Sequence, residues 1–212
     1  MRFPTLVFDL DGTLTDPLLG IHRCMNYALT THDYAPRSEA DIKPYIGPPL
    51  EIALSELSGS EDEDHIKQLM VTYRERYGEF GYAENTVYPG VIDLLDALRD
   101  QGFVMGVCTS KFEKYALKVL EQFKLREYFQ FVSGGDYGVK KSGQLADLLK
   151  AGTITTDALM IGDRAIDLTS AHGNGLVSAG VLWGYGNIEE LQAESPALLC
   201  TNPDDLLRAV LG

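Results

Sequence analysis

The chain has 212 residues, enough for one sizeable hydrophobic core or for one core with a small inserted domain. Its 18 basic and 31 acidic residues give a net charge of −13, which argues against a general nucleic-acid binder and against a protein that binds anionic membranes. No apolar run reaches the roughly 18 residues of a membrane-spanning helix, and the first residues lack the long apolar region of a signal peptide. We therefore expect no transmembrane segment.

Three cysteines, Cys24, Cys108 and Cys200, are widely spaced and set in apolar sequence. A disulfide framework uses paired cysteines, and their number here is odd. The pattern favours free thiols in a reducing cytoplasm, and nothing in it indicates a zinc site.

The first predicted strand ends in two aspartates. An apolar run from Leu6 to Phe8 leads directly into Asp9 and Asp11, and Gly12 allows a sharp turn. Carboxylates are costly to bury and cluster where a cation or a proton transfer requires them, and Mg²⁺ prefers such oxygen ligands. The alternative is an acidic turn in which Asp11 caps a helix.

The segment from residue 16 to about 82 is predicted to be helical throughout. Apolar residues recur there at helical spacing, and the pattern is interrupted at Pro36, at the loop from Tyr45 to Leu50, at Gly59, and finally at Gly78 and Gly81. A second helix is expected to begin near residue 38 or 41, and a later one at the acidic stretch 61–64. The segment has no good strand candidate.

Strands and helices alternate from residue 83 onward. Buried strands are predicted at 103–108, 129–132, 158–161 and 177–182, and the tail holds a short apolar piece at 198–200 between helices that begin near Asn187 and Pro203. This alternation indicates an α/β fold, with a Rossmann-like parallel sheet covered on both faces. Residues 1–15 and 83–212 would form this core, and residues 16–82 an inserted all-helical cap domain.

Polar residues follow two further strands, at the edge where such sheets bind ligands. Thr109 and Ser110 follow strand 103–108, where hydroxyls beside a helix start would bind an anion or simply cap the helix. Asp163 and Asp167 follow strand 158–161, and on a helix that begins near Asp163 they would share one face. Such like charges repel unless a cation lies between them; the alternative is a capping Asp163 with a solvated Asp167.

Two lysines complete the set of candidate side chains. Lys140 and Lys141 precede a predicted helix, and one of them could reach the site and neutralise a phosphate, unless both are solvated. Four motifs, taken in order, resemble the full motif set of the haloacid dehalogenase-like phosphatases. They are the string Asp9–Leu14 (Asp-Leu-Asp-Gly-Thr-Leu), Thr109, the lysine pair and Asp163–Asp167.

The resemblance implies a role for each motif. Asp9 would be the nucleophile that forms an aspartyl-phosphate, and Asp11 the general acid/base that protonates the leaving oxygen and then activates water. Thr109, with Ser110, would bind the phosphate. Lys141 matches the family's lysine better than Lys140, although Lys140 stays possible.

Mg²⁺ is the cofactor that the resemblance implies. Asp163 matches the family's metal ligand, together with Asp9 and the carbonyl of Asp11, and Asp167 matches the supporting carboxylate of the fourth motif. A carboxylate nucleophile divides a difficult displacement into two easier ones, and a divalent cation holds the charge that develops on the phosphoryl oxygens.

The predicted cap resembles the small helical cap of the phosphoglycolate phosphatase and β-phosphoglucomutase group. The mutases carry an arginine three residues after a cap-loop glycine, but here Leu50 follows Gly47 at that spacing. The loop from Gly47 to Leu50 and Lys43, with Tyr45 and His22, are the candidate substrate contacts, although each could be an ordinary surface residue.

The resemblance therefore implies a cytoplasmic, Mg²⁺-dependent phosphatase, monomeric or homodimeric, that acts on a small phosphorylated metabolite. Phosphoglycolate, a nucleoside monophosphate and a sugar phosphate are all open as substrates, and no nucleic-acid or membrane partner is expected. The alternatives are mutase-like phosphoryl transfer within a sugar phosphate, and a non-catalytic binding protein on the same fold.

Overall fold

The computed structural model describes residues 3–212. Eight strands are formed within these residues: β1 Thr5–Phe8, β2 Thr15–Asp16, β3 Thr86–Val87, β4 Val104–Phe112, β5 Phe131–Gly135, β6 Leu159–Gly162, β7 Val177–Val181 and β8 Leu198–Cys200. The same range holds ten α-helices: α1 Leu18–Thr31, α2 Glu39–Ile42, α3 Leu50–Ser58, α4 Glu63–Glu79, α5 Val91–Asp100, α6 Glu113–Gln122, α7 Lys141–Lys150, α8 Ala165–His172, α9 Ile188–Ala193 and α10 Pro203–Leu211.

The main sheet has six strands in the order β5-β4-β1-β6-β7-β8, and every paired neighbour is parallel. All four residues of β1 are buried, as expected for a parallel strand with helices on both faces. β4 and β6 flank β1, so the three strands that precede the motif residues are adjacent. The predicted α/β fold with a parallel sheet is confirmed.

The inserted helices α1 to α4 have an apolar cluster of their own, distinct from the two clusters on the faces of the sheet. Its fully buried members include Cys24, Leu29, Leu54 and Leu69. Because this segment buries its own apolar surface, the packing supports the proposal that residues 16–82 form a cap domain. None of the helices in residues 3–212 combines the length and apolar character needed to cross a bilayer.

Several predicted boundaries differ from the observed ones. Asp16 lies in a two-residue strand that pairs with β3, although the sequence predicts no strand in residues 16–82; a pair this short leaves no periodic signal. α4 continues through Gly78, and β5 begins two residues later than predicted. The strand after residue 103 continues past Thr109 to Phe112, so no helix starts directly behind that threonine.

The start of α8 also differs from the prediction. It begins at Ala165, two residues beyond Asp163, so that Asp163 and Asp167 do not share one helix face. Asp163 instead lies in the turn after β6, where it accepts hydrogen bonds from Thr13 and from the main-chain N–H of Tyr185. These contacts hold it outside the helix.

Candidate active site

Three carboxylates converge at the carboxyl ends of β1 and β6. Asp9, Asp163 and Asp167 each offer an oxygen within 4.8 Å of the others, and all three side chains are buried. The pairing of β1 with β6 brings the carboxylates together, since the main-chain N–H of Asp9 donates to the carbonyl of Ile161 at 2.8 Å. The two aspartate motifs predicted from sequence therefore meet at one place.

The electrostatics of this cluster fit a divalent cation. Burial, together with the charges of Asp167 and Asp9, raises the pKa of Asp163 well above its ordinary value. Burial also raises the pKa of Asp167 to about 6, against the opposing charge of Lys141. One lysine offsets three buried carboxylates, so a hard cation with oxygen ligands would complete the charge balance.

The orientation of Asp163 is set by neighbours on both sides. The Thr13 hydroxyl donates to Asp163 Oδ1 at 3.0 Å, and the main-chain N–H of Tyr185 donates to Oδ2 at 2.8 Å. Gly12 has a φ of +94°, and a Cβ placed there would lie 2.2 Å from Oδ2. The glycine of the first motif is therefore required both for the turn and for the close approach of this carboxylate.

Lys141 is the lysine that reaches the site. Its Nζ lies 2.9 Å from Asp9 Oδ1 and donates a hydrogen bond to Asp167 Oδ1, and the side chain is fully buried. Although burial alone would lower the pKa of Lys141, the charges of Asp167 and Asp9 raise it. Lys140 is exposed at the N-terminus of α7, away from these carboxylates.

Asp11 lies beside a cation that the sequence analysis did not assign to the site. Lys111 Nζ is 2.6 Å from Asp11 Oδ2 and also donates to the hydroxyl of Tyr77 at 2.8 Å. Burial raises the pKa of Asp11, while Lys111 opposes the rise. The position of Lys111, two residues after Thr109 in the sequence, is a signal that could have placed it at the site.

The phosphate-binding candidates lie at the end of β4. Thr109 is buried, and Gln144 donates to its carbonyl at 3.2 Å. The strand register shifts between Thr109 and Phe112, and this irregular stretch lines a cavity. Among residues 3–212, the buried hydroxyl of Ser110 has no hydrogen-bond partner, so it is free to donate to a ligand in the adjoining cavity.

A cavity with about 690 Å³ of empty space, including the part open to solvent, lies between these residues and the cap. Asp9, Asp11 and Thr109 line it from the core. Of the cap residues proposed as contacts, Tyr45, Gly47, Pro48 and Leu50 line the cavity.

Two other predicted cap contacts lie elsewhere. Lys43 is exposed, outside the cavity lining, with Nζ 5.8 Å from the ring centroid of Tyr185. His22 contacts the carbonyl of Arg37 through a ring nitrogen at 3.1 Å, which gives it a structural role within the cap.

Arg164 joins the core to the cap loop. Its Nη1 donates to the carbonyls of Ile46 at 2.5 Å and Pro44 at 3.1 Å, while Nε donates to Glu190 at 2.9 Å. Gly47 packs on the same side chain, since a Cβ there would lie 2.8 Å from Arg164 Cγ. The residue next to Asp163 thus holds the loop that lines the cavity.

The chain is similar to known proteins over nearly its whole length. It is 35% identical to a 5′-nucleotidase of Pseudomonas aeruginosa (95% of this chain, 93% of that protein) and 31% identical to phosphoglycolate phosphatase 1 of the same organism (97% and 79%). It is also 32% identical to the tyrosine-protein kinase PtkA of Mycobacterium tuberculosis (98% and 72%).

A solved structure has the same fold. The crystal structure of a predicted phosphatase from Clostridium acetobutylicum superimposes with a TM-score of 0.93 at 33% identity, covering 99% of this chain and 98% of that chain. The sequence model of the haloacid dehalogenase-like hydrolases matches residues 6–181. These matches confirm the resemblance stated from the motifs, and the chain belongs to the haloacid dehalogenase-like hydrolase family, as one of its phosphatases.

Proposed function

We propose that the protein hydrolyses a small phosphomonoester in an Mg²⁺-dependent reaction through an aspartyl-phosphate on Asp9. The observation that carries the proposal is the convergence of Asp9, Asp163 and Asp167 at one sheet edge, where Lys141 pairs with Asp9 and Asp167. The relatives named as a 5′-nucleotidase and a phosphoglycolate phosphatase support hydrolysis of small phosphorylated compounds. We further propose that residues 1–15 and 83–212 form the catalytic core and residues 16–82 the cap.

Asp9 and Asp11 divide the reaction between them. In the first step an oxygen of Asp9 attacks phosphorus, and the bond to the leaving oxygen breaks as Asp11 donates a proton to that oxygen. In the second step Asp11 takes a proton from water, whose oxygen attacks phosphorus and releases phosphate from Asp9. The raised pKa of Asp11 suits a carboxyl that must carry a proton in the first step.

The buried cluster supplies the groups that would hold Mg²⁺. Asp9, Asp163 and the carbonyl of Asp11 would be its ligands, and Asp167 would support them. When bound, the ion would offset negative charge on the phosphoryl oxygens. Lys141 pairs with both Asp9 and Asp167 and so offsets the repulsion between them, and Thr109 would donate to a phosphoryl oxygen.

The test measures phosphate released from p-nitrophenyl phosphate and from a panel of phosphorylated metabolites, with Mg²⁺ and with EDTA. We expect release in Mg²⁺ and its loss in EDTA. Asp9→Asn should abolish release while the protein stays folded, and Asp147→Asn, at an exposed position on α7, is the matched control. Mass spectrometry of acid-quenched enzyme should place phosphate on the peptide that contains Asp9.

Two results would reject the proposal. Phosphate release that survives Asp9→Asn would remove Asp9 from its role. Interconversion of a sugar phosphate without phosphate release would instead favour the mutase reaction, whose cap-loop arginine is replaced here by Leu50.

A further inference from the structure

The cavity between cap and core is lined by polar groups from the core and mostly by apolar or aromatic groups from the cap. Ile21, Met25, Met70, Tyr73 and Tyr77 are among the cap side chains that line it. The rings of Tyr73 and Tyr77 stack with centroids 5.5 Å apart and 13° between their planes. The part of a substrate that extends from phosphate into the cap would therefore contact largely apolar surface, which favours a flat, apolar leaving group.

The charges that line this cavity disfavour an anionic leaving group. Its two cations are already paired, Lys111 with Asp11 at 2.6 Å and Arg74 with Asp136 at 2.9 Å. Glu51 lines the same space and adds a further negative charge. A leaving group with its own carboxylate, such as that of phosphoglycolate, would meet this excess of acid without an unpaired cation among the lining residues.

Arg74 provides a hydrogen-bond donor among the side chains that line the cavity. It lies on α4 three residues before Tyr77, roughly 4.5 Å along the helix axis from the tyrosine that contacts Lys111. Its guanidinium carbon lies 4.4 Å from the ring centroid of Phe112, and its buried Nε has no partner within residues 3–212. A buried donor without an acceptor is unfavourable, so an acceptor on the substrate would stabilise it.

We propose that the cavity selects a nucleoside 5′-monophosphate, with its base against the apolar and aromatic lining of the cap and with Arg74 as the specificity-determining residue through a hydrogen bond from Nε. The inference rests on the proposed phosphomonoesterase function and names its substrate class. A nucleobase is flat, carries no charge at neutral pH and presents ring acceptors. A sugar phosphate, by contrast, would bring several hydroxyls against an apolar wall, where they would lose their hydration.

The experiment compares kcat/KM in Mg²⁺ for nucleoside 5′-monophosphates, phosphoglycolate, glucose 6-phosphate and phosphotyrosine. We expect the preferred nucleotide to exceed each of the others by at least about tenfold. Arg74→Gln should lower kcat/KM for that nucleotide about tenfold and lower the value for phosphoglycolate less, so that the ratio between them narrows. Arg208→Gln, at an exposed arginine on α10, should leave both values unchanged.

The outcomes separate this inference from the proposed function. Hydrolysis that favours phosphoglycolate, glucose 6-phosphate or phosphotyrosine, or an Arg74→Gln variant that loses activity equally on all substrates, would overturn the inference and leave the proposed function standing. Calorimetry of nucleotide binding to the Asp9→Asn variant gives a second readout. If the wild type hydrolyses none of the compounds, but nucleotide binds to Asp9→Asn and Arg74→Gln weakens that binding, the selectivity is supported and the proposed function is rejected. If neither hydrolysis nor nucleotide binding is observed, the inference and the proposed function are both rejected.

Discussion

Lys111 Nζ lies 2.6 Å from Asp11 Oδ2 and donates to the hydroxyl of Tyr77, so that a cap tyrosine and the proposed acid/base carboxyl share one buried cation. Asp11 Oδ1 is buried and has no hydrogen-bond partner among residues 3–212. One oxygen of this carboxyl is therefore held by Lys111, while the other remains free beside the cavity. This arrangement would orient Asp11 toward a leaving oxygen, as the proposed acid/base role requires.

Replacing this lysine should affect turnover more than binding. In Lys111→Met the carboxyl of Asp11 loses its orienting partner, and hydrogen bonds to charged groups contribute about 1.5–3 kcal/mol. We expect kcat to fall about 10- to 100-fold with a smaller change in KM, measured by steady-state kinetics. Lys114→Met, at an exposed lysine on α6, is the matched control. An unchanged kcat in Lys111→Met would show that Asp11 needs no such partner.

The two adjacent lysines at the start of α7 should differ sharply in their effect on stability. Lys141→Met leaves Asp9 and Asp167 as buried charges without their cation, which typically costs about 3–5 kcal/mol. Lys140 is exposed, and its replacement by methionine should change the free energy of unfolding by less than about 0.5 kcal/mol. Urea denaturation in EDTA measures both values. Similar losses in the two variants would argue against the buried ion pairs.

The stability of the metal-free protein should depend on pH through Asp167. Its native pKa is raised from 3.8 to about 6, chiefly by burial, so the native state binds this proton more tightly than the unfolded state does. The contribution of Asp167 to stability therefore falls as pH rises from 3.8 to about 6 and is constant above that window.

Comparison with Asp167→Asn isolates this effect from other titrations. In EDTA, the unfolding free energy of the wild type minus that of the variant should decrease across the window and then level off. Urea denaturation at several pH values measures this difference. A difference that stays flat with pH would mean that Asp167 titrates alike in both states.

Loss of Arg164 should loosen the cap loop. In Arg164→Met the carbonyls of Pro44 and Ile46 lose their charged donor, whose hydrogen bonds contribute about 1.5–3 kcal/mol each. We expect kcat/KM to fall at least about tenfold and amide hydrogen exchange in residues 43–50 to accelerate. Arg208→Met is the exposed control. Exchange rates that match the wild type would show that the loop is held by other contacts.

Much of the core site could be anticipated from local sequence, because parallel strands end at a common edge. That rule brings Asp9 and Asp163 together once β1 and β6 are identified. Lys141 could not be distinguished from Lys140 on the same basis, since the choice depends on the rotation of α7 against the sheet.

The contacts between cap and core were not visible in the sequence. Lys111, Arg74 and Arg164 act across segments that are distant in the chain, and their partners depend on how the helices dock. The predicted contacts Lys43 and His22 do not line the cavity, because Lys43 is exposed and His22 contacts the carbonyl of Arg37 within the cap. Side-chain partners of this kind require the packed structure.

Arg164 holds the cap loop through hydrogen bonds to main-chain carbonyl oxygens, which every amino acid possesses. Substitutions along that loop can therefore accumulate without releasing it, as long as Gly47 leaves room for the arginine. The side chains of the loop can therefore differ in chemistry while these two hydrogen bonds are kept. Replacing this loop by the corresponding loop of a relative should therefore change the substrate preference more than it changes the contact between the loop and Arg164.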